Sequence, residues 1–218
     1  MAAPADAVRT GRPWRAALLL LAVAVAAFGL VSVVHEATRD EIAAAARARQ
    51  LARFAEVLQG QRFENDLLAD VVDVRDAELL GTPATLKAYR ARRGGEAIGV
   101  VLECVAPNGY SGAIRLLVGI GPDGRVLGVR VSEHRETPGL GDAIEVRKSD
   151  WIERFTGRSL RDPSPARWRV RKEGGEFDQF TGATITPRAV VGAVANALVY
   201  FERHRDELLA PPATIPTS

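Results

Sequence analysis

Hydrophobic and polar positions change their rhythm several times along the chain. Residues 16–34 form an uninterrupted uncharged run of 19, mostly apolar. As a helix rising 1.5 Å per residue it is roughly 28 Å long, close to the hydrocarbon thickness of a bilayer. From Glu36 to Leu58 the pattern is alanine-rich and helical, with Ile42, Leu51, Phe54 and Leu58 as its larger apolar residues and Gly60 as a stop. This predicts a stalk helix that docks on the following domain, since a helix that only bridges through solvent needs less apolar surface. Residues 61–82 show no clear period, and Arg90 to Gly95 reads as a solvated turn ending in two glycines. From Ala97 the period shortens. Residues 98–105, 114–120 and 126–131 are β-branched apolar runs separated by Pro107-Asn108-Gly109 and Pro122-Asp123-Gly124, which predicts a meander of antiparallel strands. Last, Val190, Val194, Leu198 and Phe201 recur on one helical face.

Charge placement changes this picture more than charge amount. Arg9, Arg12 and Arg15 against Asp6 account for the whole net charge of +2, and the 26 basic and 26 acidic residues that follow cancel. Arginines before the apolar run, with His35, Glu36, Arg39, Asp40 and Glu41 after it, favour a cytoplasmic N-terminus and an extracytoplasmic remainder. The run is long for the apolar core of a signal peptide, and no small-x-small cleavage site follows closely, so an anchor is favoured. No basic patch calls for nucleic acid. With 47% hydrophobic and 26% charged residues the chain has the composition of a packed protein. A single cysteine, Cys104, excludes an internal disulfide or an iron–sulfur cluster held by this chain alone. His35, His134 and His204 lie far apart without metal-ligand spacing, so no metal site is expected.

The chemistry concentrates around Asp178-Gln179-Phe180-Thr181-Gly182-Ala183-Thr184-Ile185-Thr186-Pro187. Thr186 is placed to cap the helix and Pro187 to be its first residue, because proline's missing N–H is not needed there. The free N–H groups of that first turn and the helix dipole also suit a phosphate. Local chemistry alone favours the cap. A second candidate segment is Glu133-His134-Arg135-Glu136-Thr137-Pro138-Gly139-Leu140-Gly141, whose two glycines and proline permit close approach to a planar ligand. By itself it reads as a connector. Gly119-Ile120-Gly121-Pro122-Asp123-Gly124 fits G-x-G-x-x-G, but the residues after it read as strand, so no dinucleotide fingerprint is assigned and no direct NAD binding is expected.

The run Thr181-Gly182-Ala183-Thr184-Ile185-Thr186, preceded by Asp178, resembles the flavinylation motif [ST]-G-A-T-x-[ST]. That motif marks the FMN-binding subunits of Rnf-type electron transport complexes and of sodium-pumping NADH:quinone oxidoreductases. Residues 134–141 resemble the same family's H-x-E-T-P-G-L-G signature. The turn Asn108-Gly109-Tyr110-Ser111-Gly112 and the apolar segment at Trp151, Ile152 and Phe155 also look like family features. The likeness spans residues 97–201 and fits the single N-terminal anchor.

The resemblance implies an α+β fold: one N-terminal transmembrane helix, then an FMN-binding domain with an antiparallel sheet and flanking helices. The expected organisation is a cytoplasmic N-terminus (1–15), a transmembrane helix (16–34), a stalk helix (35–60), an extracytoplasmic domain (61–210, core 97–201) and a disordered tail (211–218). It implies FMN joined to Thr186 by a phosphoester bond. Asp178, Thr181, Gly182, Ala183 and Thr184 would surround it, with His134, Glu136, Thr137, Gly139, Leu140 and Gly141 against the ring. No residue is expected to be catalytic, because no general base lies beside Thr186 in sequence. Implied partners are the other membrane subunits of the complex and a flavin transferase acting on FAD. The implied setting is a bacterial inner membrane, with the flavin domain periplasmic. The implied role is electron carriage in a complex linking ferredoxin and NAD to ion translocation. The equivalent subunit of the sodium-pumping quinone reductase is the near alternative. A membrane-anchored flavin sensor or scaffold is the alternative of another class.

Overall fold

The computed structural model describes residues 13–211; the expected cytoplasmic N-terminus, apart from residues 13–15, and the tail from 212 onward lie outside the described residues. The chain divides into two units, one ending at Arg49 and one beginning at Gln50. Helix α1 (Pro13–Val57) contains the whole of the first described unit. The predicted transmembrane and stalk segments are therefore a single helix. Its apolar stretch has a mean hydropathy of 2.8 and is unburied by protein, with Leu19 67% and Phe28 76% exposed. Apolar surface on that scale is costly in water, at about 25 cal/mol per Å², and is accommodated in lipid. It is the one described helix long and apolar enough to cross a membrane.

Ile42, one of the larger apolar residues of the predicted stalk, belongs to the first unit and is 58% exposed. Phe54, Val57 and Leu58, in the second unit, are buried. They pack with Leu67, Tyr89, Ala91, Val101 and Leu117 on one face of a five-stranded antiparallel sheet. The strands are β1 (Val71–Asp76), β2 (Thr82–Arg93), β3 (Glu96–Ala106), β4 (Ile114–Ile120) and β5 (Val126–Glu133), in that spatial order. The last three match the predicted meander. The first two carry weak sequence signals, because alanines and arginines alternate in β2 where β-branched residues would advertise a strand.

The solvated turn expected at Arg90 to Gly95 shrinks to Gly94 and Gly95, both with positive φ. Arg90 and Arg92 belong to β2, and their side chains, 14% and 4% exposed, pair with Asp70 at 2.9 and 2.5 Å. A buried guanidinium needs such a partner.

The opposite sheet face carries the larger core. Leu86, Val100, Leu102, Leu116, Val118 and Ile120 meet helix α2 (Ile185–Arg203) and the aromatic group Trp151, Phe155, Trp168 and Phe177. Because both faces are covered, β3 and β4 are apolar almost throughout. The predicted helical stripe is core: Val190, Val194, Leu198 and Phe201 are at most 1% exposed. A short helix α3 (Arg205–Leu209) follows. The G-x-G-x-x-G segment is the β4–β5 hairpin. Gly119 stands there because a Cβ would come within 2.6 Å of the Val57 carbonyl oxygen, and Gly124 because its φ is +80°.

Candidate functional site

Three loops converge at the start of α2, and each arrives for a local reason. The first is the turn between β3 and β4. Gly109 has no room for a side chain: a Cβ would meet the Gly112 carbonyl oxygen at 2.2 Å and Glu136 Oε1 at 3.0 Å. The second leaves β5 and closes on itself. The N–H groups of Leu140 and Gly141 donate to the Thr137 carbonyl at 3.2 and 3.1 Å, and the Gly139 N–H donates to Asp142 Oδ1 at 2.8 Å. The third is the segment before α2. Phe180 packs edge-on against Trp151, and the Ala183 N–H donates to the Phe180 carbonyl across a turn in which Gly182 has φ +81°.

Between them lies a cleft of about 280 Å³, lined by Tyr110, Glu136, Thr137, Leu140 and Gly141 on one side and 182–186 on the other. Tyr110, Leu140 and Ile185 are 68%, 46% and 43% exposed, which gives the cleft an apolar rim. A rim of this kind suits a flat aromatic ligand.

At its floor stands a pair that the sequence does not bring together. The Thr186 hydroxyl donates to Glu136 Oε2, and the Ser111 N–H donates to Glu136 Oε1 at 3.0 Å. The Glu136 N–H in turn donates to His134 Nδ1 at 3.1 Å, so the backbone carrying the carboxylate is fixed from behind. Gly141 is required here, since a Cβ would lie 2.8 Å from Glu136 Oε2 and 3.0 Å from Thr186 Oγ. Glu136 is 4% exposed and Thr186 0%. The hydroxyl therefore borders the cleft while its residue is fully buried.

One expectation about Thr186 needs correction. It does not cap α2: the helix begins at Ile185, Thr184 holds the cap position without a side-chain bond, and the Thr186 hydroxyl is engaged by Glu136. No base neighbours it in sequence, and the carboxylate that accepts its hydrogen comes from 50 residues away.

Of the residues singled out from sequence, Glu136, Thr137, Leu140, Gly141, Gly182, Ala183, Thr184 and Thr186 line the cleft. Four others have different positions. Asp178 pairs with Arg154 at 3.1 Å and Arg171 at 2.8 Å, and its carbonyl accepts from the Trp151 indole at 2.7 Å. It anchors the segment without facing the cleft. His134 Nε2 lies 3.2 Å from Glu145 Oε1, and the residue lines a separate charged cavity with Arg130 and Arg147. Gly139 is fully a backbone requirement, with φ +78° and open space around it, and Thr181 is exposed outside the lining. Tyr110 and Ser111, noted only as part of a turn, supply a wall and a donor.

The supporting charges are held in place. The Gly139 N–H and then Lys148 hold Asp142 below the ordinary aspartate range. Burial pushes Glu145 up, but His134 and Arg147 outweigh it and hold it below its ordinary range. Cys104, fully buried, is pushed up to about 12 by burial and the nearby Glu103, so its thiol is inert at neutral pH.

Residues 109–199 match the model of the FMN-binding domain, and residues 13–57, the extent of α1, match that of the RnfG N-terminal region. Over 206 residues, covering 94% of the chain and 96% of the relative, the sequence is 50% identical to the G subunit of the ion-translocating oxidoreductase complex of Pseudomonas aeruginosa. It is 48% identical over 205 residues to that of Cereibacter sphaeroides (92% and 91% covered), and 46% identical over 195 to that of Vibrio atlanticus (89% and 93%).

Proposed function

The chain belongs to the family formed by the G subunits of ion-translocating oxidoreductase complexes, and from that premise we propose that it carries its FMN as a phosphoester on Thr186. It is an FMN-binding electron carrier of such a complex, and the other subunits of the complex are its partners. The observation behind the attachment site is the position of one hydroxyl. Thr186 Oγ stands at the floor of a cleft built from both motif segments, at the first turn of α2.

The residues present fit the group. The apolar rim of Tyr110, Leu140 and Ile185 offers contact to the ring. The first-turn N–H groups of α2 have no helical acceptor and can receive phosphate oxygens. FMN held there supplies reversible electron transfer at neutral pH; the protein supplies attachment, orientation and surroundings.

Charge alone is a poor way to keep a phosphate at this floor. A helix start favours an anion by about 0.3–1 kcal/mol, and by about 2 when partly buried. Two like charges 4 Å apart repel by about 4 kcal/mol at an effective dielectric constant near 20, and the Glu136 carboxylate would oppose a phosphate held beside it in this way. The repulsion exceeds the attraction, so a covalent bond is the sounder means of retention. It also leaves the ring free to sit at an open edge, which suits electron exchange with neighbouring subunits.

A separate flavin transferase acting on FAD makes the bond, and the domain from Gln50 onward lies on the periplasmic side of the inner membrane. The three arginines before the apolar run support that orientation. A reporter fused after Ala43 is expected to be active only when it is one that works in the periplasm; activity of a cytoplasmic reporter reverses the topology.

Thr186→Ala tests the site. With the transferase co-expressed, in-gel flavin fluorescence after denaturation disappears, because alanine has no oxygen to esterify, while Thr186→Ser keeps a hydroxyl and some flavin. Thr184→Ala, two residues away, retains some covalent fluorescence even if it binds less well, because the esterified oxygen is still there. Fluorescence persisting in Thr186→Ala sinks the assignment.

A further inference from the structure

The geometry points to Glu136 as the general base that activates Thr186 during flavin attachment. The inference rests on the attachment reading above and extends it to the proton. A threonine hydroxyl is a weak nucleophile until an adjacent group takes its proton. Glu136 Oε2 already accepts that hydrogen. Its other oxygen is occupied by the Ser111 N–H, and its backbone is tied to His134 Nδ1. Glycines at 109 and 141 make the space in which the carboxylate stands.

The arrangement has no evident purpose in holding the product. A carboxylate at this spot opposes a phosphodiester, and esterification removes the hydrogen that Thr186 donates. No described ion pair engages Glu136, whereas Asp142 and Glu145 close by are each paired with a cation. What the carboxylate does favour is the step in which Thr186 loses its proton.

That step balances without an oxidant. The Thr186 Oγ–H bond breaks and its proton moves to Glu136 Oε2. Oγ forms a bond to the flavin-side phosphorus of FAD, and the phosphoanhydride P–O bond breaks to release AMP. The proton then passes from Glu136 to AMP or to water. The exposed segment 137–140, which closes on itself through the Thr137 carbonyl, stands between this pair and solvent.

The test uses the full-length protein in detergent, purified flavin transferase and FAD, with covalent flavin followed by gel fluorescence and intact mass. Glu136→Gln keeps the shape and, through its amide oxygen, the bond from Ser111, but it turns an N–H donor toward Thr186 in place of an acceptor and has no basicity. Glu136→Asp keeps the basicity in a shorter side chain. The expected result is that Glu136→Gln lowers kcat for transfer by about 10²–10⁴-fold, with KM for this protein and its melting temperature little changed. Glu136→Asp should fall between Gln and wild type. Transfer by Glu136→Gln within about threefold of wild type, or faster than by Glu136→Asp, overturns the proposal, because a merely positioning role favours the isosteric amide. If Glu136→Gln does not fold, wild-type transfer in D₂O takes its place: slower transfer is expected, and an unchanged chemical step overturns the base. No adduct on wild type, or an adduct on Thr186→Ala, refutes the attachment reading. A normal adduct on Thr186 with an unimpaired Glu136→Gln refutes only the base.

Discussion

Two acidic groups in this protein, one partly and one fully buried, are satisfied in opposite ways. Asp70 lies between Arg90 and Arg92, and the same two guanidiniums also donate to the Ala210 carbonyl. Glu136 is more deeply buried, yet its partners are a backbone N–H and a threonine hydroxyl, both neutral. The first cluster joins β2, the segment before β1 and the residue that follows α3, and its one carboxylate is matched by two cations. The second keeps an unmatched charge at the floor of a cleft. A cluster built for stability pairs its ions; one built for chemistry keeps a charge available.

The largest expected effect comes from breaking the matched cluster. Asp70→Ala strands Arg92, whose side chain is 4% exposed, and should cost about 3–5 kcal/mol in a denaturant titration. Flavin attachment per folded molecule should be unchanged. A cost under about 1 kcal/mol, the scale of an exposed pair, or a specific loss of flavin, would erase the distinction between the clusters.

Gly141→Ala probes the other cluster by volume. Its new methyl would stand 2.8 Å from Glu136 Oε2 and 3.0 Å from Thr186 Oγ, so the pair must separate. A loss of about 1–3 kcal/mol is expected, together with slower flavin attachment. Gly139→Ala is the matched control. Nothing lies within 4 Å, and only the positive φ resists it, at about 1 kcal/mol, with attachment intact. Equal attachment rates for the two variants would remove the reason given for Gly141.

The smallest effect is a pH dependence beside the cleft. Asp142 has a folded-state pKa below its unfolded value, so its stabilisation is present above about pH 4 and is lost as the pH falls through the lower folded value. The melting-temperature gap between wild type and Asp142→Asn should be open at pH 6 and close in strong acid. A gap independent of pH would mean that the charge on Asp142 contributes nothing.

Much of this was legible in order along the chain. The membrane run, β3 to β5 and α2 each announce themselves through a local period, because burial repeats with the geometry of the element. The two motif segments are likewise contiguous words, and eight of the residues chosen from them line one cleft. β1 and β2 were not legible, since β1 is six residues long and half of them are charged, while alanine and arginine fill several inward positions of β2 and the compensating Asp70 is a long-range partner.

The sequence by itself determined the membrane run, β3 to β5 and α2, where apolar surface exceeds what water tolerates, and which residue types are at hand. Tertiary structure alone decided which of them meet. Asp178 and His134 turn away to anchor their loops through Arg154, Arg171 and Glu145. Thr186 forgoes the helix cap and meets Glu136, 50 residues before it, because α2 and the loop after β5 pack at the same end of one sheet. A local period carries no information about such a meeting; it follows from where the core sets the two elements down.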